Sequence, residues 1–219
     1  MLFRSMRHFA AAALISTGLT APAFAETPAD TLVIADMIED IVSLDPAESF
    51  EFSGQDALLN VYDRLIRILP ANNFALEPGL AESWTVADDG KTYTIKMKEG
   101  LKFHSGNPIT AEDAAWSLQR VVKLAKTPSF ILTQFGLTPE NVEQMIKVTS
   151  PTEFTITTDK AYAQSFFYNC LTAIVASVVD KKLAMEHEAN GDMGYEWLKT
   201  NSAGSGPFML RAWKAADSC

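Results

Sequence analysis

The 219-residue sequence has 27 acidic and 18 basic side chains, which gives a formal net charge of −9 at pH 7. Proteins that bind nucleic acid neutralise phosphates with clustered Lys and Arg, so this balance argues against a nucleic-acid partner. Because 47% of the residues are hydrophobic and 21% are charged, the composition is that of a globular protein with a sizeable core.

Residues 1–25 have the three parts of a secretory signal peptide. A short basic start precedes an apolar stretch over residues 9–19, and small residues follow at Ala23 and Ala25. The apolar stretch is shorter than the roughly 20 residues that a membrane-spanning helix needs. We therefore predict export, with cleavage after Ala25.

The first predicted elements are a strand, a turn and a helix. The run TLVIA at residues 31–35 is apolar and β-branched, which predicts a buried strand. The SLDPA segment at residues 43–47 predicts a turn, because proline fixes its own φ and disfavours helix at the residue before it. Apolar residues at helical spacing over 58–69 then predict one helix, which Pro70 ends.

A β-hairpin and a second helix follow. Apolar residues alternate with polar ones on both sides of the turn segment Asp88–Lys91, which predicts a hairpin with one buried face. Thr110 is a predicted N-cap, and the apolar face of its helix extends to Ala125. The turn and the helix N-terminus also account for four acidic residues without any catalytic role, namely Asp88, Asp89, Glu112 and Asp113.

The last third of the chain continues the mixture of helices and strands. We predict a second hairpin over residues 142–156, a buried strand over 173–179, a helix over 180–191, and a glycine turn leading into a strand over 204–213. The apolar stretch 161–179 contains too many polar residues for a lipid-facing helix and is interpreted as core. Interleaved helices and strands indicate an α/β fold with an inserted α+β portion.

No catalytic or metal-binding constellation is visible in the sequence. The GSG segment around Ser205 lacks the G-x-S-x-G spacing of a nucleophile elbow. His104 is interpreted as a loop imidazole that is hydrogen-bonded to backbone, and Cys170 as a buried free thiol, although a bridge to Cys219 stays open. We therefore expect no catalytic residues, no metal site and no cofactor.

The segment from Val61 to Arg120 has a specific order of motifs. It contains VYDRLIRI, then PGLAESWTVADDGKTYTIKMKEGLKFHSGNPITAEDAAWSLQR. This segment resembles the signature of the bacterial extracellular solute-binding protein family 5, which serves peptide and nickel importers. The SLDPA turn and the GSGPFMLRAW segment resemble flanking motifs of the same family.

The resemblance implies a type II periplasmic-binding-protein fold, in which two α/β lobes close around a solute. Residues 26–219 would form the N-terminal portion of the solute-binding domain, the first lobe, with a small α+β domain at about residues 47–180, while the second lobe is missing from the sequence. The implied function is that of a periplasmic, monomeric binding subunit that captures peptides and delivers them to the permease of an ABC importer. Two alternatives remain open, a secreted hydrolase on a similar scaffold and a binding protein for a metal chelate or haem.

The candidate binding residues come from the position of one loop. Ligands of α/β sheets collect beyond the carboxyl ends of strands, and the segment around SLDPA follows the first predicted strand. We therefore predict that the solute is contacted by residues of this segment, which are Ser43, Leu44, Glu48, Ser49, Phe50 and Phe52. An ordinary surface turn is the alternative interpretation of the same residues.

Overall fold

A computed structural model describes residues 27–34 and 37–213 of the chain, which divides into two compact units, Met1–Asp36 and Met37–Cys219. The predicted signal peptide and Cys219 lie outside the described residues. In the first unit, residues 27–34 form no regular element and are exposed. The predicted buried strand is therefore wrong over residues 31–34, because a strand requires a hydrogen-bonded neighbour and none pairs with them in the described part of the chain; Ala35 is outside it.

The second unit contains short helices and strands in alternation. Its described helices are α1 (Phe52–Val61), α2 (Ala111–Leu124), α3 (Phe130–Thr133), α4 (Val142–Met145), α5 (Gln164–Cys170), α6 (Lys181–Glu186) and α7 (Tyr195–Leu198). Its described strands are β1 (Ile66–Ile68), β2 (Leu76–Pro78), β3 (Ala81–Val86), β4 (Thr92–Met97), β5 (Ile146–Ser150) and β6 (Glu153–Thr157). The mixture agrees with the predicted class.

The strands form two antiparallel sheets. Strands β1 and β2 make a two-stranded hairpin, and the other four make a sheet in the order β3-β4-β6-β5. One face of this larger sheet packs against α2, and the main hydrophobic core lies between them. Both predicted hairpins of the larger sheet are thereby confirmed, although residues 142–145 form α4 and not strand.

The turn between β3 and β4 has the predicted chemistry. The Asp89 carboxylate accepts hydrogen bonds from the backbone N–H groups of Lys91 and Thr92, at 2.8 and 3.0 Å. Gly90 has a φ of +66°, which glycine adopts without steric cost. Tyr93 and the residues two and four positions further along β4 are fully buried. The alternating apolar residues of the sequence therefore form the side of the strand that faces the core.

Helix α2 begins and ends where the sequence predicts. Thr110 and Asp113 form a reciprocal capping box, in which each side chain accepts from the backbone N–H of the other residue. The helix ends at Leu124, and its C-cap residue, Ala125, adopts a left-handed conformation. The confirmed N-cap explains why Glu112 and Asp113 are at this position.

The predicted helix over residues 58–69 is correct only to Val61. At Tyr62 the backbone is extended, and β1 begins at Ile66. The Arg64 carbonyl accepts from the Leu80 N–H at 2.9 Å, so pairing with a distant segment replaces the helical hydrogen bonds here. Tertiary pairing overrides local periodicity here. The end of the helix and the start of the strand therefore could not be distinguished from the sequence.

Three predictions for the last third need correction. Residues 173–179 are largely buried but form a 3-10 turn and a single bridge between Ser177 and Arg64, not a strand. Helix α6 ends at Glu186 and does not extend to residue 191. Residues 204–213 form no strand; the Gly206 and Phe208 N–H groups donate instead to carbonyls at the open C-terminal end of α1.

The prediction that the apolar stretch 161–179 is core holds for Phe167, Tyr168 and residues 171–179, which are largely buried, but not for residues 161–166, which are mostly exposed. Phe167 on α5 stacks on Tyr93 at a centroid separation of 3.8 Å and is buried. No helix among the described residues is long and apolar enough to cross a membrane. Cys170 is free and half-buried, and its partial burial raises the pKa of the thiol.

Candidate functional site

The SLDPA turn is closed by hydrogen bonds within its own residues. The Ser43 hydroxyl accepts from the Asp45 N–H, and the Asp45 carboxylate accepts from the Ala47 N–H at 2.9 Å. The Asp45 carbonyl then accepts from the N–H groups of Glu48 and Ser49. Such local bonds are typical of Asp and Ser in turns, and they fix the direction in which residues 48–52 leave the turn.

A buried ion pair attaches this turn to α2. The Arg120 guanidinium donates to both carboxylate oxygens of Asp45, at 2.8 and 2.6 Å, and the two side chains are 1% and 0% exposed. Its Nε donates to the Met193 carbonyl at 2.9 Å. One arginine therefore joins three segments that are far apart in sequence, and its planar fork matches the carboxylate.

The six predicted binding residues differ in their burial. Ser43, Leu44 and Ser49 are buried, so their side chains face the protein interior and support the turn. Phe50 is 45% exposed and Phe52 is 88% exposed. Glu48 is half-buried.

Glu48 lies at the centre of a small polar cluster. Its Oε1 accepts from the Tyr195 hydroxyl at 2.6 Å and is 3.9 Å from the Lys126 ammonium nitrogen. That nitrogen also lies 4.1 Å from the centroid of the Tyr195 ring. The other carboxylate oxygen is buried and has no hydrogen-bond partner among the residues that the structure describes.

Tyr195 has a pKa of about 12, above its ordinary value, because burial disfavours the phenolate and the Glu48 carboxylate accepts the phenol proton. The folded state therefore retains this proton more strongly than the unfolded state. Its contribution to stability is complete below pH 10 and is lost as the pH rises through about 12.

Replacing Tyr195 with phenylalanine is expected to lower the free energy of unfolding by about 0.5–1.5 kcal/mol at pH 8, because one hydrogen bond is lost. The difference between variant and wild type should shrink as the pH rises from 10 to 12. Urea unfolding at a series of pH values measures both effects. A constant difference across that range would contradict the assigned hydrogen bond.

The two exposed phenylalanines flank the beginning of α1. Phe50 makes an edge-to-face contact with Phe130, at 5.8 Å between ring centroids. The Phe50 N–H donates to the Glu51 carboxylate at 3.1 Å, which holds the backbone at this position. The adjoining cleft has a volume of only about 20 Å³, so the loop presents an aromatic surface and not a closed pocket.

The other polar positions noted in the sequence have structural partners. The His104 Nε2 is 2.8 Å from the Gly206 carbonyl oxygen, which confirms the backbone-bonded interpretation. The Ser205 hydroxyl donates to Asp63 at 3.0 Å. Among residues 27–34 and 37–213, no group of three or more His, Cys, Asp and Glu could hold a metal ion.

Sequence reasoning missed Arg120, Lys126 and Tyr195. Arg120 is 75 positions from Asp45, and Tyr195 is 147 positions from Glu48. The sequence contained one signal for Arg120. This residue directly precedes two apolar residues on the face of α2 that packs against the core. A charged residue beside a buried helix face often has a buried partner, but its spacing in sequence does not identify that partner.

Comparison with known proteins identifies the family of this chain. Residues 75–219 match the model of the bacterial extracellular solute-binding proteins, family 5, middle region. The chain is 31% identical over 195 residues to the probable D,D-dipeptide-binding periplasmic protein DdpA of Escherichia coli, covering 88% of this chain and 35% of that protein.

Two solved structures have the same fold. One is the substrate-binding domain of an oligopeptide ABC transporter from Bacillus anthracis, with a TM-score of 0.64, 22% identity, and coverage of 80% of this chain and 34% of that chain. The other is NikZ from Campylobacter jejuni in complex with Ni(L-His), with a TM-score of 0.63, 22% identity, and coverage of 80% and 32%. Both neighbours are type II periplasmic binding proteins, and this chain shares the mixed α/β fold of the part that it matches.

The chain spans about a third of the length of the relatives it matches. Its relatives are solute-binding proteins and not enzymes. Since the family match covers well over half of the sequence and the signature lies on the observed hairpin and α2, the chain belongs to the bacterial extracellular solute-binding proteins of family 5.

Proposed function

We propose that this chain belongs to the extracytoplasmic binding subunit of an ABC importer and takes part in capturing short peptides for a membrane permease. The observation that carries the proposal is the family membership, which joins the chain to relatives named for dipeptide and oligopeptide binding. In such a mechanism the solute stabilises a closed state by contacting two lobes, and the permease recognises that state.

The lobe organisation forms part of the same proposal. Residues 26–219 would contribute to the first lobe, with a small α+β domain at about residues 47–180, and residues outside this sequence would supply the second lobe. The proposal is supported by coverage, since the chain corresponds to about a third of each relative. We also propose that residues 1–25 direct export to the periplasm and are removed after Ala25, and that the protein acts as a monomer.

Within the first lobe, the loop that follows SLDPA is the proposed solute contact. Phe50 and Phe52 offer apolar surface to a peptide side chain. The ion pair of Asp45 and Arg120 holds this loop before solute arrives. Such preorganisation lowers the entropic cost of binding.

We expect short peptides to raise the melting temperature of the complete protein as it is encoded, including any residues beyond Cys219. A ligand at about 100 times its Kd stabilises the folded state by about 2.7 kcal/mol. A thermal-shift screen with L- and D-dipeptides, glutathione and longer peptides measures this, and chromatography of the recovered peptides measures turnover. Stabilisation without turnover supports the proposal, whereas hydrolysis of the peptides would support the alternative of a secreted hydrolase.

A matched pair of variants tests the loop. Phe50→Ser should weaken peptide binding, while Val148→Thr on edge strand β5, which is equally exposed, should leave it unchanged. If both variants bind peptide as tightly as the wild type, the loop does not contact the solute. The proposed function would be unaffected by that result.

A nickel chelate is the second candidate solute, because one matched structure contains Ni(L-His). The same screen distinguishes it when Ni²⁺ with histidine is included beside each component alone. A shift that requires both nickel and histidine, with none for peptides, would replace peptide by metal chelate as the solute class.

A further inference from the structure

Residues 203–208 lie directly against the last turn of α1. The Gly206 N–H donates to the Val61 carbonyl at 2.9 Å, and the Phe208 N–H donates to the Asn60 carbonyl at 3.0 Å. A β-carbon at position 204 would be 2.1 Å from the Val61 carbonyl oxygen, and one at position 206 would be 2.6 Å from that of Asn60. Glycine therefore permits this close approach of the two backbones. We call residues 203–208 the clamped segment.

His104, in the loop between β4 and α2, makes two hydrogen bonds to the clamped segment. Its backbone N–H donates to the Gly204 carbonyl at 3.0 Å, and its ring Nε2 lies 2.8 Å from the Gly206 carbonyl oxygen. Because a carbonyl oxygen only accepts, Nε2 carries the proton of the neutral ring and Nδ1 carries none. The bond to Gly206 therefore fixes the tautomer of the imidazole.

The other ring nitrogen has no acceptor for a second proton. Nδ1 is buried and has no hydrogen-bond partner among residues 27–34 and 37–213. A neutral ring needs no acceptor at Nδ1, but an imidazolium donates from both nitrogens and would bury an unpaired N–H there, which is unfavourable. Since this chain already covers Nδ1, further residues of a longer protein can reach it only by displacing the atoms that cover it.

The charged groups around the ring do not provide that acceptor. The carboxylates of Asp63 and Asp180 each accept from a serine hydroxyl next to these contacts, at 3.0 and 2.5 Å. Neither carboxylate bonds to the ring in the part of the chain that the structure describes. The neighbouring cations are Lys102, on the same loop, and Arg211, which lines the same cleft as His104. Both cations are donors only, so a proton at Nδ1 stays unpaired in this arrangement.

We propose that His104 is an acid-sensitive latch, which holds the clamped segment in place while its ring is neutral and loosens the segment when the ring is protonated. Histidine is the side chain whose charge changes between pH 5 and 8. The unfolded or locally opened chain accepts the second proton freely, whereas the closed arrangement buries it without an acceptor. Closure therefore becomes less favourable as the pH falls through this range. Opening also exposes the carbonyls at the end of α1, because the same segment bonds to them.

The test compares wild type with two variants of the complete protein, at about pH 7.5 and about pH 5. His104→Gln retains a side-chain N–H that can donate to the Gly206 carbonyl but gains no proton at acidic pH. His187→Gln is the matched control, because His187 is the other described histidine and stacks on Trp197 at 4.2 Å. Hydrogen exchange followed by mass spectrometry measures protection of the amides in the clamped segment. Proteins are compared at the same pH, so the intrinsic pH dependence of exchange cancels.

At the higher pH we expect the three proteins to protect the clamped segment equally, within about twofold. At the lower pH, wild type and His187→Gln should protect it about tenfold less than His104→Gln does, because only their closed form buries an unpaired N–H. A spectrum of the ring nitrogens in ¹⁵N-histidine-labelled wild type gives the protonation state directly. We expect the His104 ring to carry its proton on Nε2 at the higher pH.

Three results would overturn the latch. The first is equal protection of wild type and His104→Gln at the lower pH, and the second is an acid-induced loss that disappears in His187→Gln. The third comes from wild type alone and so does not depend on how either variant folds: a His104 ring that is doubly protonated while the clamped segment stays fully protected. None of these results concerns solute capture, which the thermal-shift screen tests separately.

Discussion

Replacing Arg120 with methionine is expected to lower the free energy of unfolding by about 3–5 kcal/mol, because the substitution leaves the Asp45 carboxylate buried and unpaired. The Met193 carbonyl also loses its donor. Urea unfolding at pH 7 measures the loss. Since Asp45 fixes the turn that presents Phe50, the variant should also bind solute more weakly than its residual stability alone would explain.

The matched control is Lys123→Met on the same helix. Lys123 pairs with Glu143 at the surface, where an ion pair contributes about 0–1 kcal/mol. Adding Asp45→Asn to Arg120→Met should restore part of the lost stability, since the buried charge is then removed. A cost below about 1 kcal/mol for Arg120→Met would show that the pair does not hold the turn.

Replacing Phe167 with alanine is expected to cost about 3–5 kcal/mol, because it opens a cavity in the main core. The ring stacks on Tyr93 of β4 and lies edge-to-face against Phe135 at 5.0 Å, so it joins α5 to the sheet. Chemical unfolding followed by tryptophan fluorescence measures this loss. Solute affinity at low temperature, where the variant remains folded, should change little.

The neighbouring Phe166 provides the control for this prediction. It is one position earlier on α5 but 44% exposed, and its contact with Phe135 is tilted at 5.5 Å. Phe166→Ala should therefore cost about 1 kcal/mol or less. Equal losses for the two adjacent residues would contradict the orientation of α5 against the core.

The predicted elements that the structure confirms depend on neighbours in sequence. The turn at Asp89 and Gly90 is closed by bonds spanning two or three residues, and the capping box of Thr110 and Asp113 spans three. Alternating burial along β4 follows from the two-residue period of a strand. Patterns of this range can be recognised without knowing the rest of the fold.

Several wrong predictions concern segments whose conformation depends on pairing with distant residues. Residues 31–34 and 204–213 have the apolar character of strands, but a strand exists only where another strand pairs with it. The predicted end of α1 was wrong for the same reason, because Arg64 pairs with Leu80 and Ser177. Local composition contains no information about such pairing.

For the candidate site, too, the sequence predicted local features and not tertiary contacts. The sequence identified the SLDPA turn and the aromatic residues after it, since proline, aspartate and the family resemblance all point to this segment. It did not reveal that Ser43, Leu44 and Ser49 face inward while Phe50 faces solvent. Burial of a side chain depends on what packs over it.

By itself, the sequence determined the family, the two hairpins of the larger sheet and the long capped helix α2, because each follows from short-range periodicity, turn chemistry or a contiguous motif. Only the tertiary structure decided that Arg120 holds Asp45, that Tyr195 donates to Glu48, and that the His104 ring bonds to Gly206. These features depend on contacts between residues far apart in the chain.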